Sequence, residues 1–211
     1  MPFCAITALK SANRISWRGA KPNRLNSVID VINLDHALAH WRSIPRDGFV
    51  PRLSDYLDRV DITIQPWTLI VDITEKTMPV RLCGTGMVDL MGCDFTGRNY
   101  LQAVKAESRQ HVIERDRLCV IHPCGLTLTL TASTAAGRMF DDQVLVLPLL
   151  RANGQKSVLR ISAVHPTQDY RDIPISVLSY QASAWVDVGA GVPAEAPWAD
   201  PAHRCDETQR T

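Results

Sequence analysis

Apolar residues in this chain switch twice from steps of three and four to steps of two, and few folds accommodate that order. From Trp67, the residues Leu69, Val71 and Ile73 alternate with Thr68, Ile70, Asp72 and Thr74, the period of a strand. Glu75 to Pro79 reads as a turn, and Val80 to Cys83 as a second strand pairing back on the first. Gly84, Gly86, Gly92 and Gly97 then break residues 84–99 into short helical pieces. A longer helix is expected from Leu101 to Val120, ending before Pro123 and Gly125. Alternation resumes with Leu126, Leu128 and Leu130 facing one way and Thr127, Thr129 and Thr131 the other. Gln143 to Leu150 is apolar on both faces, as an inner strand should be. Pro148 within it implies a bulge or the strand's end, because proline cannot donate to a ladder. Asn153-Gly154 marks a tight turn, and Ser157 to Val164 returns with Leu159, Ile161 and Ala163 on one face.

Ahead of these strands a helix is expected to begin near Asn26, with Ser27 and Asp30 as a capping box. Val28, Val31, Leu34, Leu38 and Trp41 give it one apolar stripe, and Pro45 should stop it by disfavouring helical geometry at Ile44. Residues 1–25 hold Lys10, Arg14, Arg18, Lys21 and Arg24 with no acid and read as a flexible basic arm. Beyond His165 the rhythm is lost. Residues 166–211 read as a C-terminal extension, acidic and disordered after about residue 186, where Pro193, Pro197 and Pro201 fall. The folded domain is therefore placed at residues 26–165, as an α+β fold with an antiparallel sheet.

Bulk properties narrow the function. A formal net charge of +1 argues against a dedicated nucleic-acid binder, which carries a basic excess. No apolar run is long enough to span a membrane, and MPFCAITALK does not have the pattern of a secretory leader. Six cysteines in a chain of 211 residues read as reduced, partly buried thiols, so a cytoplasmic setting is expected.

Four stretches sharpen the fold: HALAHWRSI (36–44), WTLIVDIT (67–74), VRLCGTGMVDLMGCDFTGRNYL (80–101) and VLVLPLL (144–150). In this order and spacing they resemble the stand-alone bacterial PAS-domain proteins, over about residues 30–165. Gly84-Thr85 leading to Asp94-x-Thr96-Gly97-Arg98 is the most specific part. The resemblance implies a five-stranded antiparallel sheet of order 2-1-5-4-3, with helices on one face enclosing a pocket and an added N-terminal helix. It also implies a sensor in signal transduction, not an enzyme, acting through a protein partner and forming a homodimer. Val31, Leu34, Leu38 and Trp41 are candidates for the dimer or partner surface, or else pack on the chain's own sheet. Cys83, Met87, Met91, Val112, Cys119 and Leu128 are the candidate pocket lining for a small-molecule ligand, or plain core. Gly84 is expected to let the chain turn out of the second strand, Asp94 or Thr96 to cap a helix, and Arg98 to form a salt bridge.

Specific chemistry is thin. The cofactor is unknown: none is the first expectation, and haem ligated by His111 on the long helix is the alternative. A flavin–cysteine adduct is not expected, because Tyr100 follows Gly97-Arg98-Asn99 where the resembling light sensors carry cysteine. Cys119, His122 and Cys124 form a compact thiol–imidazole group, one ligand short of a zinc site. Two alternatives to the sensor stay open: a ligand-free PAS interaction module, and a small thiol enzyme using Cys119 and His122.

Overall fold

The computed structural model describes residues 32–134, 139–163, 175–194 and 197. Strands form where the sequence alternates. β1 (Thr68–Asp72) and β2 (Val80–Cys83) make an antiparallel hairpin. β3 (Gly125–Thr134), β4 (Met139–Leu150) and β5 (Lys156–Ser162) make an antiparallel meander. β5 pairs antiparallel with β1 and joins the two ribbons into one sheet. A sixth strand, β6 (Ile175–Val186), runs antiparallel along β3, so the order is β2-β1-β5-β4-β3-β6.

The order 2-1-5-4-3 is thus present, and the five-strand expectation is corrected by one strand drawn from the C-terminal extension. β6 was hidden by its own irregularity. The register with β3 jumps from Ala182 to Tyr180 and from Val177 to Ile175, leaving Gln181 and Ser176 as extra residues. Each shift inserts one unpaired residue into β6, so a single two-residue register does not run the length of the strand.

Helices cover both faces of the sheet, the added N-terminal helix packing on the chain's own sheet together with a short second helix. α3 (Thr85–Met91) and α4 (Arg109–Ile121) pack on the face carrying Leu69, Val71, Leu128 and Val146. α1 (Leu34–Ser43) and α2 (Leu53–Leu57) pack on the opposite face, over Ile70, Leu145, Leu147 and Leu159. A central strand caught between two helical layers needs apolar side chains of both parities, and this accounts for the unbroken run from Val144 to Leu149.

α1 begins later than the sequence suggested. Ile32 and Asn33 are not helical, and the Asn33 side chain accepts the N–H groups of Asp35 (2.8 Å) and His36 (3.2 Å) as the N-cap. Ser27, Asp30, Val31 and the basic arm lie outside the described residues. The stop at Pro45 holds: Ile44 is extended, with ψ 129°. α4 likewise starts at Arg109 rather than Leu101, because 3₁₀ turns occupy Tyr100–Gln102 and Ala106–Ser108.

Two punctuating residues act differently from expectation. Pro148 neither bulges nor ends β4; it pairs with Val158 in regular register. Pairing with β3 has stopped by Val146, opposite Leu126. Leu150, of the same parity as Pro148, sends its N–H to the Pro51 carbonyl, outside the sheet. The N–H that Pro148 lacks would therefore point past the end of β3, where no ladder bond is lost. Gly84 has φ −66°, open to any residue. Its requirement is space: a Cβ there would lie 2.3 Å from the Gln65 carbonyl oxygen and 2.5 Å from that of Pro66.

Candidate functional site

Between α3 and the sheet lies a cavity of about 20 Å³, room for about one water. Met87, Leu90 and Met91 of α3 form its roof, and Leu69, Leu130, Ala132 and Val144 form much of its floor. The remaining lining is polar: Asp142 on β4, Arg160 and Ser162 on β5, and the ring of Tyr100. Alternation puts them there. Asp142 shares the parity of Val144, and Arg160 and Ser162 share that of Val158, so all three polar strand positions face α3 and α4.

All three polar strand residues are buried, Asp142 and Ser162 at 5% exposure and Arg160 at 2%. The Ser162 hydroxyl donates to Asp142 Oδ2 at 2.8 Å, while Oδ1 finds no hydrogen-bond partner among the described groups. Burial raises the Asp142 carboxyl to about 7, against the opposing pull of the Ser162 hydroxyl, the Gln143 N–H and the Arg160 charge. Arg160 donates through Nη1 to Asp116 on α4, and its guanidinium carbon sits 4.6 Å from the Tyr100 ring centroid. Arg115 Nη2 lies 3.5 Å from the other Asp116 oxygen. A charged chain, Arg115–Asp116–Arg160, thus runs from the helix layer to the edge of the cavity.

The segment from Asp94 to Asn99 builds this site indirectly. Asp94 Oδ1 accepts the Thr96 N–H at 2.8 Å and closes a local turn, so neither residue caps an α-helix. Gly97 N–H reaches the Val80 carbonyl (2.7 Å), Val80 N–H reaches Arg98 (2.8 Å), and Tyr100 N–H reaches Met78 (2.8 Å). Asn99 Oδ1 accepts from the N–H groups of Met78 and Leu101. These bonds lay the segment along β2 and deliver Tyr100 beneath Arg160. The Arg98 guanidinium carbon lies 5.9 Å from the Phe95 ring centroid, and its Nη1 lies 4.0 Å from the Cys93 sulfur.

Of the candidate pocket residues, Met87 and Met91 line the cavity. Val112, Cys119 and Leu128 are buried in the same core cluster away from it, and Cys83 is half-buried beside that cluster. His111 is half-buried on α4 and does not line the cavity. A cavity that holds about one water does not fit haem or flavin. Trp41 is fully buried against the sheet, with Nε1 donating to the Pro148 carbonyl at 3.2 Å, while Leu34 and Leu38 are partly buried over the same cluster. Asp142, Arg160, Ser162 and Asp116 escaped the sequence reading. A charge between Leu159 and Ile161 was the available signal, but alternation alone assigns Arg160 to solvent unless both faces are known to be covered. Among the described residues no group of three or more histidine, cysteine or acidic side chains is arranged to hold a metal ion. Nor is any described helix long and apolar enough to cross a membrane.

A six-stranded antiparallel sheet whose first five strands run 2-1-5-4-3, with helices roofing one face, defines a PAS-type class of fold. The sequence model of the PAS domain matches residues 30–162, and the chain belongs to that family. No curated protein matches it in sequence. Among solved structures it is similar to a fungal LOV domain photoreceptor, with 19% identity, 64% of this chain and 92% of that chain covered, and a TM-score of 0.41. It is also similar to the dark structure of the blue-light photoreceptor Aureochrome1 LOV, with 20% identity, 58% and 89% covered, and a TM-score of 0.39.

Proposed function

We propose that this chain is a PAS signalling module whose buried Asp142–Arg160–Ser162 group receives a small polar ligand and whose response passes to a protein partner through surface contacts. One observation carries the reading: a buried carboxyl oxygen without a hydrogen-bond partner among the described groups stands at the wall of a cavity, beside Arg160 and Ser162. Leaving a polar atom unpaired in a core costs about 1–3 kcal/mol, and an apolar residue there would avoid it. Such costs concentrate where a group is used. Met87 and Met91 supply the adaptability, since unbranched thioethers repack more readily than branched side chains and could admit a ligand larger than water. In this reading the chain transmits a signal and carries out no chemical step.

A second reading, a ligand-free interaction module, draws on the small volume of the cavity. Native mass spectrometry of the purified full chain separates the two. A retained small molecule, lost on Arg160→Met, supports the receiving site. An unladen mass that no small polar compound shifts leaves the module reading.

A further inference from the structure

We infer that Cys119 and Cys124 are a paired dithiol that hydrogen peroxide oxidises to an intramolecular disulfide, pinning the end of α4 to the start of β3. Cys119 lies in the last turn of α4 and Cys124 immediately precedes β3. The chain reverses tightly between them: His122 N–H bonds to the Leu118 carbonyl (2.9 Å), and Cys124 N–H bonds to the Cys119 carbonyl (3.2 Å). That second bond draws the two cysteine backbones together, as a disulfide requires. Both side chains are fully buried in the same core cluster.

The pair is also electrically unequal. The neighbouring Cys119 thiol favours the Cys124 thiolate, against burial and the charge of Asp187. The same contact, together with burial, pushes the Cys119 thiol up. Cys124 is therefore the first to ionise and Cys119 the one that resolves. The Cys124 thiolate attacks one peroxide oxygen; the O–O bond breaks, and hydroxide leaves and is protonated to water. The Cys119 sulfur then attacks the resulting sulfenic sulfur, the S–O bond breaks, and a second water leaves with the Cys119 proton. The two thiols lose two electrons and the peroxide gains them. Burial restricts the oxidant to one of about water's size, because a bulky disulfide cannot reach either sulfur.

The test uses the folded full chain and hydrogen peroxide, followed by denaturation, alkylation and tryptic mapping. Cys119 and Cys124 fall in one peptide, residues 118–138. The expected result is that this peptide is unalkylated and lighter by two hydrogen atoms, with both thiols returning on reduction. In Cys119→Ser, dimedone added together with the denaturant should trap a sulfenic acid at Cys124. Recovery of both thiols alkylated, or disulfides formed to Cys83 or Cys93 instead, overturns the proposal. If the serine variant does not fold, the wild-type map decides alone.

Discussion

Asp142 shows how one side chain can make stability depend on pH. Its carboxyl titrates near 7 when folded and near its ordinary value of 3.8 when unfolded. Between those values the folded chain keeps a proton that the unfolded chain has released, so stability falls as pH rises through this window and levels off above it. About three units correspond to at most roughly 4 kcal/mol. Asp142→Asn should flatten the dependence, gaining on the wild type at about pH 8 relative to about pH 5 in urea unfolding. An unchanged slope would mean that the carboxyl is solvated. The Asp116–Arg160 pair makes the complementary point. Both are almost fully buried, so Asp116→Ala strands a cation and should cost about 3–5 kcal/mol. Arg160→Met added to it should restore most of that loss, and a double-mutant cycle measures the difference. Neither residue could be found from alternation: Arg160 sits on the parity that a one-sided sheet would give to water.

Among the elements, the strands that pack one clean parity against a core were legible, and the irregular ones were not. Leu126, Leu128 and Leu130 alternate with threonines and gave β3 directly. β6 lost its rhythm at two bulges, and α4 lost its first turns to 3₁₀ geometry. Of the site, Met87 and Met91 were legible as adaptable apolar residues on a short helix. The polar half depended on knowing that helices close both faces. Gly84 separates space from conformation. Its missing Cβ makes room for the backbone of Gln65 and Pro66, where α3 leaves β2. Gly84→Ala should cost about 3 kcal/mol, because backbone must shift to admit the methyl group. Gly154→Ala meets nothing within 4 Å and carries only the strain of φ +74°, so it should cost about 1 kcal/mol. Equal losses in chemical denaturation would contradict this assignment.

At the scale of the whole molecule, the sheet is clamped between two helical layers. The cavity lies under the α3–α4 layer, and the α1–α2 layer covers the other face. The outer layer is tied down from the far end of the chain: Arg42 donates to the Asp187 carbonyl (2.8 Å), and Val188 joins the core beneath α1. A change at Asp142 or Arg160 can therefore reach α1 through β4 and β5, whose opposite faces carry Leu145, Leu147 and Leu159. Because Trp41 is committed to that core, a homodimer through α1 would have to use Leu34 and Leu38. Leu38→Glu should then lower the mass in solution, and an unchanged mass would exclude α1 as the contact. The receiving site itself is tested most directly by amide NMR of the full chain titrated with the low-molecular-weight fraction of a cell extract. The account predicts shifts centred on Met87, Met91, Tyr100 and Arg160, absent in Arg160→Met. No shifts, or shifts confined to α1 and α2, would contradict it.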